Sequence, residues 1–132
     1  MTGLSCPDFA LAVDIQLNVK GCKNVYESFK KYVSVEMLEG ENRYRTEGYG
    51  LQDARKGVIF ESFPPVLHLQ LKRFEYDIQS DAMVKVNDRC EFPEEIDLEE
   101  FLSPQANRSK PHKYLLHGCV ISVRLRLLVA EC

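Results

Sequence analysis

The sequence predicts an α+β fold, mostly antiparallel sheet with one clear helix. Three stretches carry this reading. Residues 12–20 alternate apolar and polar, as a half-exposed strand does. Val25, Phe29 and Val33 recur at helical spacing a few residues later. Val66–Tyr76 then forms the strongest β-prone run of the chain.

In the first stretch Val13, Ile15, Leu17 and Val19 fall on one face, and Asp14, Gln16, Asn18 and Lys20 on the other. Gly21 ends it. Asn24 followed by Glu27 has the spacing of a capping box, which predicts a helix within 25–38 stopped by Gly40. A polar stretch over 41–57 holds a short strand at 43–46, and Val58–Phe63 is a further β-prone run closed by Pro64-Pro65. Within Val66–Tyr76, Leu67, Leu69 and Leu71 share a face that should be buried. His68, Gln70, Lys72, Phe74 and Tyr76 share the other, polar at its start and aromatic at its end. Asp77–Asp81 reads as a turn and Ala82–Asn87 as the return, making 66–87 a hairpin. Asp97–Leu102 predicts a helical turn, Ser103–Lys113 a polar loop, and Tyr114–Val129 a final β pattern. No helical crossover between parallel strands is evident.

Composition narrows function. The chain has 132 residues, 45% hydrophobic and 28% charged, which suits one domain or a large piece of one. A net charge of -3 and a pI near 5.6 argue against a nucleic-acid partner. No signal peptide is evident. The most apolar segment, Gly118–Cys132, is shorter than the roughly 20 residues that cross a bilayer, and Arg124 and Arg126 interrupt it. No membrane partner is therefore expected. The five cysteines are widely spaced, with no C-x-x-C pair, so neither a metal site nor any other cofactor is expected. Free thiols fit the cytosol or nucleus.

The run Phe63-Pro-Pro-Val-Leu-His-Leu-Gln-Leu-Lys-Arg-Phe-Glu-Tyr-Asp77 and its continuation Lys85–Pro93 resemble a signature of ubiquitin-specific proteases. So do the segments Asp14–Gly21, Val33–Gly40 and Gly50–Gly57. Their order and spacing resemble the subgroup of the herpesvirus-associated ubiquitin-specific protease and its plant relatives. The resemblance implies a partial papain-like catalytic domain, fingers and part of the palm, over 12–118. It leaves a non-matching segment at 1–11 and a divergent β-prone tail at 119–132.

The family implies thiol-dependent hydrolysis after ubiquitin's C-terminal glycine, by a cysteine, a histidine and an orienting acid. No residue here matches the catalytic cysteine or histidine. Cys6 echoes the cysteine motif, but Pro7 stands where tyrosine belongs and the finger strand follows too soon. His68, His112 and His117 do not match the histidine. The expectation is a deubiquitinase fragment, inactive alone, with ubiquitin or ubiquitinated proteins as partners. The alternatives are a non-catalytic ubiquitin-binding module or decoy, or a nonfunctional truncated product. Carried over by motif, Arg73, Phe74, Tyr76 and Lys85 would border a channel for ubiquitin's extended, basic tail. Asp14, Glu36 and Phe29 would face its globular body. Plainer readings stand beside these: solvated charge for Asp14, Glu36 and Lys85, helix core for Phe29, and ordinary core under a second layer for Phe74 and Tyr76.

Overall fold

The computed structural model describes residues 14–121 and the backbone of residues 126–131. Cys6, Val13, the segment 1–11, residues 122–125 and Cys132 lie outside the described residues, with the expectations that fall on them.

A five-stranded sheet organises the chain. Its strands are β1 (Asp14–Asn18), β6 (Val66–Lys72), β9 (Glu95–Asp97), β10 (Lys113–Ile121) and β11 (Arg126–Glu131), in the order β1-β6-β11-β10-β9. Between β1 and β6 come the helix α1 (Val25–Tyr32) and four short strands. These are β2 (Glu36–Leu38), β3 (Tyr44–Thr46), β4 (Gly50–Gln52) and β5 (Ala54–Lys56). A hairpin of β7 (Phe74–Asp77) and β8 (Ala82–Lys85) follows β6. Single turns of 3-10 helix lie at Gly40–Asn42 and Glu99–Phe101.

The predicted alternation in the first strand holds. Ile15 and Leu17 are buried, while Asp14, Gln16 and Asn18 are exposed. The strand pairs with β6 in parallel, Asp14 beside His68 and Asn18 beside Lys72. That is one parallel pair in an otherwise antiparallel sheet. The pattern of apolar residues fixes which face is buried; it carries no information on strand direction.

The helix begins as expected and ends early. Glu27 N–H donates to Asn24 Oδ1 at 2.8 Å, and Glu27 Oε2 accepts from Lys23 N–H at 2.8 Å, a capping box displaced by one residue. Val33 caps the C-terminus, and Glu36–Leu38 is strand rather than a continuation. Val35 and Met37 are largely exposed. Beyond Val33 the helix would have no apolar face to bury, so packing ceases to reward it.

The long run 66–76 is two strands, not one. Leu67, Leu69 and Leu71 are buried as predicted. Arg73 carries the same parity and follows them inward, at 8% exposure. Its guanidinium donates to the carbonyls of Val86 and Asp88, and its own carbonyl accepts from Val86 N–H at 2.7 Å. These bonds tie the chain to the 86–88 segment and divert it out of the five-stranded sheet. The hairpin therefore covers only 74–85, and β6 pairs instead with β1 and β11. Its turn is built as the sequence indicates: Asp77 accepts from the Gln79 and Ser80 N–H groups and from Ser80 Oγ.

The final β pattern also divides. β10 and β11 pair antiparallel, with a register shift between Leu116 and Gly118, and β11 sits between β6 and β10. The expected strand at 58–63 is absent from the assigned strands; Phe60 makes only an isolated bridge to Leu102.

One face of the sheet is covered by α1, by Leu98–Leu102 and by the aromatic segment around Phe60. Phe29 stacks on Phe101 at 5.2 Å between ring centroids; Phe60 meets Phe29, Tyr32 and Phe63, and Phe63 meets Tyr114. Tyr114 is buried, with its hydroxyl donating to the Pro64 carbonyl at 2.6 Å.

Candidate ubiquitin-facing site

Pairing in the β7/β8 hairpin sets Phe74 opposite Lys85 and Tyr76 opposite Met83. Directly opposed residues share a face of an antiparallel pair. Three of the residues singled out from the sequence, Phe74, Tyr76 and Lys85, thus meet on one surface. Tyr76 is 55% exposed and Met83 61%, and Ile78 at the turn is 85% exposed. Phe74 is half-buried. The Tyr76 hydroxyl hydrogen-bonds the Asp81 carboxylate, which orients the ring along the hairpin. On the other face Glu75 pairs with Lys20 and ties the hairpin to the end of the first strand; that bond holds the Lys20 pKa above its ordinary value.

Arg73 does not join this surface. It lies beneath the hairpin, engaged with backbone carbonyls, and so acts as the anchor of the wall rather than its face. Phe29 is corrected as well. It is 0% exposed and packed against Phe60 and Phe101, so it offers a partner no surface. Its spacing with Val25 had marked it as a helix-face residue, and the core is where that face lies.

Asp14 and Glu36 are exposed but lie apart from the hairpin. Asp14 Oδ1 is 3.3 Å from His68 Nδ1, near the start of β6, whereas the hairpin follows the end of that strand. Glu36 lies in β2, opposite Lys56 in β5. Strands β2 to β5 form a bent two-stranded ribbon. Arg43 Nε bonds Asp53 Oδ1 at 2.8 Å where the pairing is interrupted, and Gly48 and Gly50 take positive φ at its turn. No residue from Ser34 to Val66 is buried. The ribbon instead exposes Met37, Tyr44, Tyr49 and Leu51. Sequence reading missed these four. Tyr44, Tyr49 and Leu51 are apolar in a stretch that otherwise reads as polar, and this contrast was the available signal, while Met37 fell within the predicted helix, which ends before it.

Among the described residues no group of three or more His, Cys, Asp or Glu side chains is arranged to hold a metal. No helix there is long and apolar enough to cross a membrane. Cys22 and Cys90 are buried free thiols, and burial pushes the Cys90 thiol up.

The fold is that of deubiquitinase catalytic domains. The SAGA deubiquitinating module bound to ubiquitin aldehyde contains a chain that matches at a TM-score of 0.64 and 22% identity, over 90% of this chain and 36% of that one. A second structure of the yeast module matches at 0.63 and 23%, over 89% and 34%. At this identity the likeness is one of fold. Sequence gives the family. Residues 8–123 match the model of the ubiquitin carboxyl-terminal hydrolase family, and the chain belongs to it. Ubiquitin C-terminal hydrolase 12 of Arabidopsis thaliana is 62% identical over 112 residues, which is 82% of this chain and 10% of the relative. Ubiquitin carboxyl-terminal hydrolase 5 of Schizosaccharomyces pombe is 60% identical over 108 residues, with the same shares covered. The chain thus spans about a tenth of the length of these relatives. It carries a partial domain of this fold, mostly antiparallel strands with one helix.

Proposed function

We propose that this chain supplies part of the ubiquitin-docking surface of a thiol-dependent deubiquitinase, and hydrolyses no ubiquitin bond by itself. The finer placement is in the subgroup of the herpesvirus-associated ubiquitin-specific protease and its plant relatives, on the motif spacing given above. Residues 12–118 correspond in this reading to the fingers and part of the palm, working in the cytosol or nucleus.

The carrying observation is the shared face of Phe74, Tyr76 and Lys85, with Tyr76 and Met83 more than half exposed. Exposed aromatic and thioether groups beside a fixed hairpin suit an extended peptide tail. Arg73 positions this face from below. Asp14 on the first strand and Glu36 on the ribbon offer carboxylates to ubiquitin's basic body. Phe29 supports the helix rather than the partner. Cys90 does not suit the nucleophile's role: burial pushes its thiol up, opposite to the shift an activated nucleophile needs.

Titration of the isotope-labelled chain with ubiquitin tests the proposal. Saturable shifts of Phe74, Tyr76 and Met83 are expected, weakened in Tyr76→Ala. A full equivalent excess of ubiquitin that moves none of them refutes it. A fluorogenic ubiquitin C-terminal substrate should show no turnover; turnover abolished by Cys6→Ala would place catalysis in the chain.

A further inference from the structure

Arg73 raises a question that ubiquitin docking does not answer. The residue is 8% exposed, yet its guanidinium forms no ion pair with any carboxylate among the described residues. Two backbone carbonyls accept from Nη1, while Nε is buried without a hydrogen-bond partner. A buried cation is costly unless an anion compensates it. Arg73 also lines a cavity of about 180 Å³, together with Lys85, Asn87, Asp88 and Arg89. Lys85 likewise has no ion pair among the described residues. Arg89 holds Glu91 at 2.6 Å, and the Asp88 carboxylate accepts only the Gly21 N–H at 3.3 Å, so it stays the one anionic group in the lining.

We infer that this cavity is a binding site for a small oxyanion of phosphate size. The planar guanidinium and the ammonium of Lys85 are complementary donors to such a group: a rigid fork and a mobile point charge. Asn87 adds an amide at the rim. The volume admits a tetrahedral phosphate, and the walls set two cations without an ion pair, Arg73 and Lys85, against the single carboxylate of Asp88. The site joins the last residue before the hairpin to the segment after it. An anion bound there fastens the two ends of β7/β8 together.

The test is phosphate titration of the whole chain without ubiquitin, following the Arg73 Nε–Hε cross-peak by ¹⁵N NMR. Inorganic phosphate should move that peak saturably, with a midpoint in the millimolar range. Lys85→Gln, an exposed change that leaves Arg73 in place, should weaken binding about tenfold. A phosphoserine peptide that binds more tightly than inorganic phosphate identifies the oxyanion's source as a modified chain; equal binding identifies the free ion. A peak that stays fixed overturns the site. So does one that moves alike in Lys85→Gln, or equally with chloride at matched ionic strength.

Discussion

Single residues in this chain divide by parity. Arg73 and Phe74 are adjacent, but Arg73 continues the inward series of Leu67, Leu69 and Leu71, while Phe74 starts the outward face of the hairpin. Phe29 illustrates the same division on a helix. Its truncation to alanine should destabilise the chain by about 3–5 kcal/mol, the usual cost of deleting a buried phenyl ring. Equilibrium urea unfolding measures it, and a loss below 1 kcal/mol would return Phe29 to the surface. Asp77 provides a residue-scale pH test. The Ser80 hydroxyl, then the Gln79 and Ser80 amides, hold its carboxyl below the ordinary value of 3.8. A lowered pKa in the folded chain means that the contribution to stability is present above the unfolded value and fades as pH falls through the folded one. The Gln79 and Ser80 amide resonances should therefore lose their native positions only below pH 3.8, and Asp77→Asn should remove the transition. A titration midpoint at or above that value would mean the turn bonds are not formed in solution.

Elements were legible where the residues and local chemistry agree. The first strand, the capping box at Asn24, the Asp77 turn and the buried leucines of β6 follow from side-chain period and hydrogen-bonding inventory alone. Asn24→Ala should cost about 1 kcal/mol through the lost cap, read in the same urea transition. What sequence could not supply was long-range. The parallel partner of β1 lies across a connection containing α1 and the ribbon, and periodicity carries no trace of it. The break at Arg73 depends on carbonyls of Val86 and Asp88, more than ten residues on. The candidate site shows the same limit: the hairpin trio shares a face through local pairing, whereas the choice between helix core and partner surface for Phe29 is decided by Phe60 and Phe101, distant in sequence. β11 gives the sharpest element-scale expectation. It pairs with β6 on one side and β10 on the other. A chain ending at Ile121 leaves both strands with open edges. Its amide spectrum should collapse toward the centre; a dispersed spectrum would show that the strand is dispensable.

At the scale of the molecule, the candidate contacts other than Asp14, which stands on the first strand, fall into two groups carried by different units. Phe74, Tyr76 and Lys85 stand on a hairpin anchored by Arg73 and by the Lys20–Glu75 pair. Glu36 stands on a ribbon that adds nothing to the buried core. No hydrogen bond or ion pair among those described links hairpin to ribbon, so each can change without disturbing the other. Groups without shared partners contribute additively, within about 0.3–0.5 kcal/mol. Tyr76→Ala and Glu36→Ala, alone and together, should therefore weaken ubiquitin binding by amounts that sum. Affinities from NMR titration give the cycle directly. A double variant no weaker than Tyr76→Ala alone would show that ubiquitin touches only the hairpin. It would also remove the ribbon from the docking surface, leaving its exposed Tyr44, Tyr49 and Leu51 to serve another contact. Additive losses would instead show one ligand spanning both units, its tail on the hairpin and its body on the ribbon. Hairpin and ribbon are both exposed, whereas the buried core lies on one face of the five-stranded sheet, so either outcome can be read without the core being disturbed.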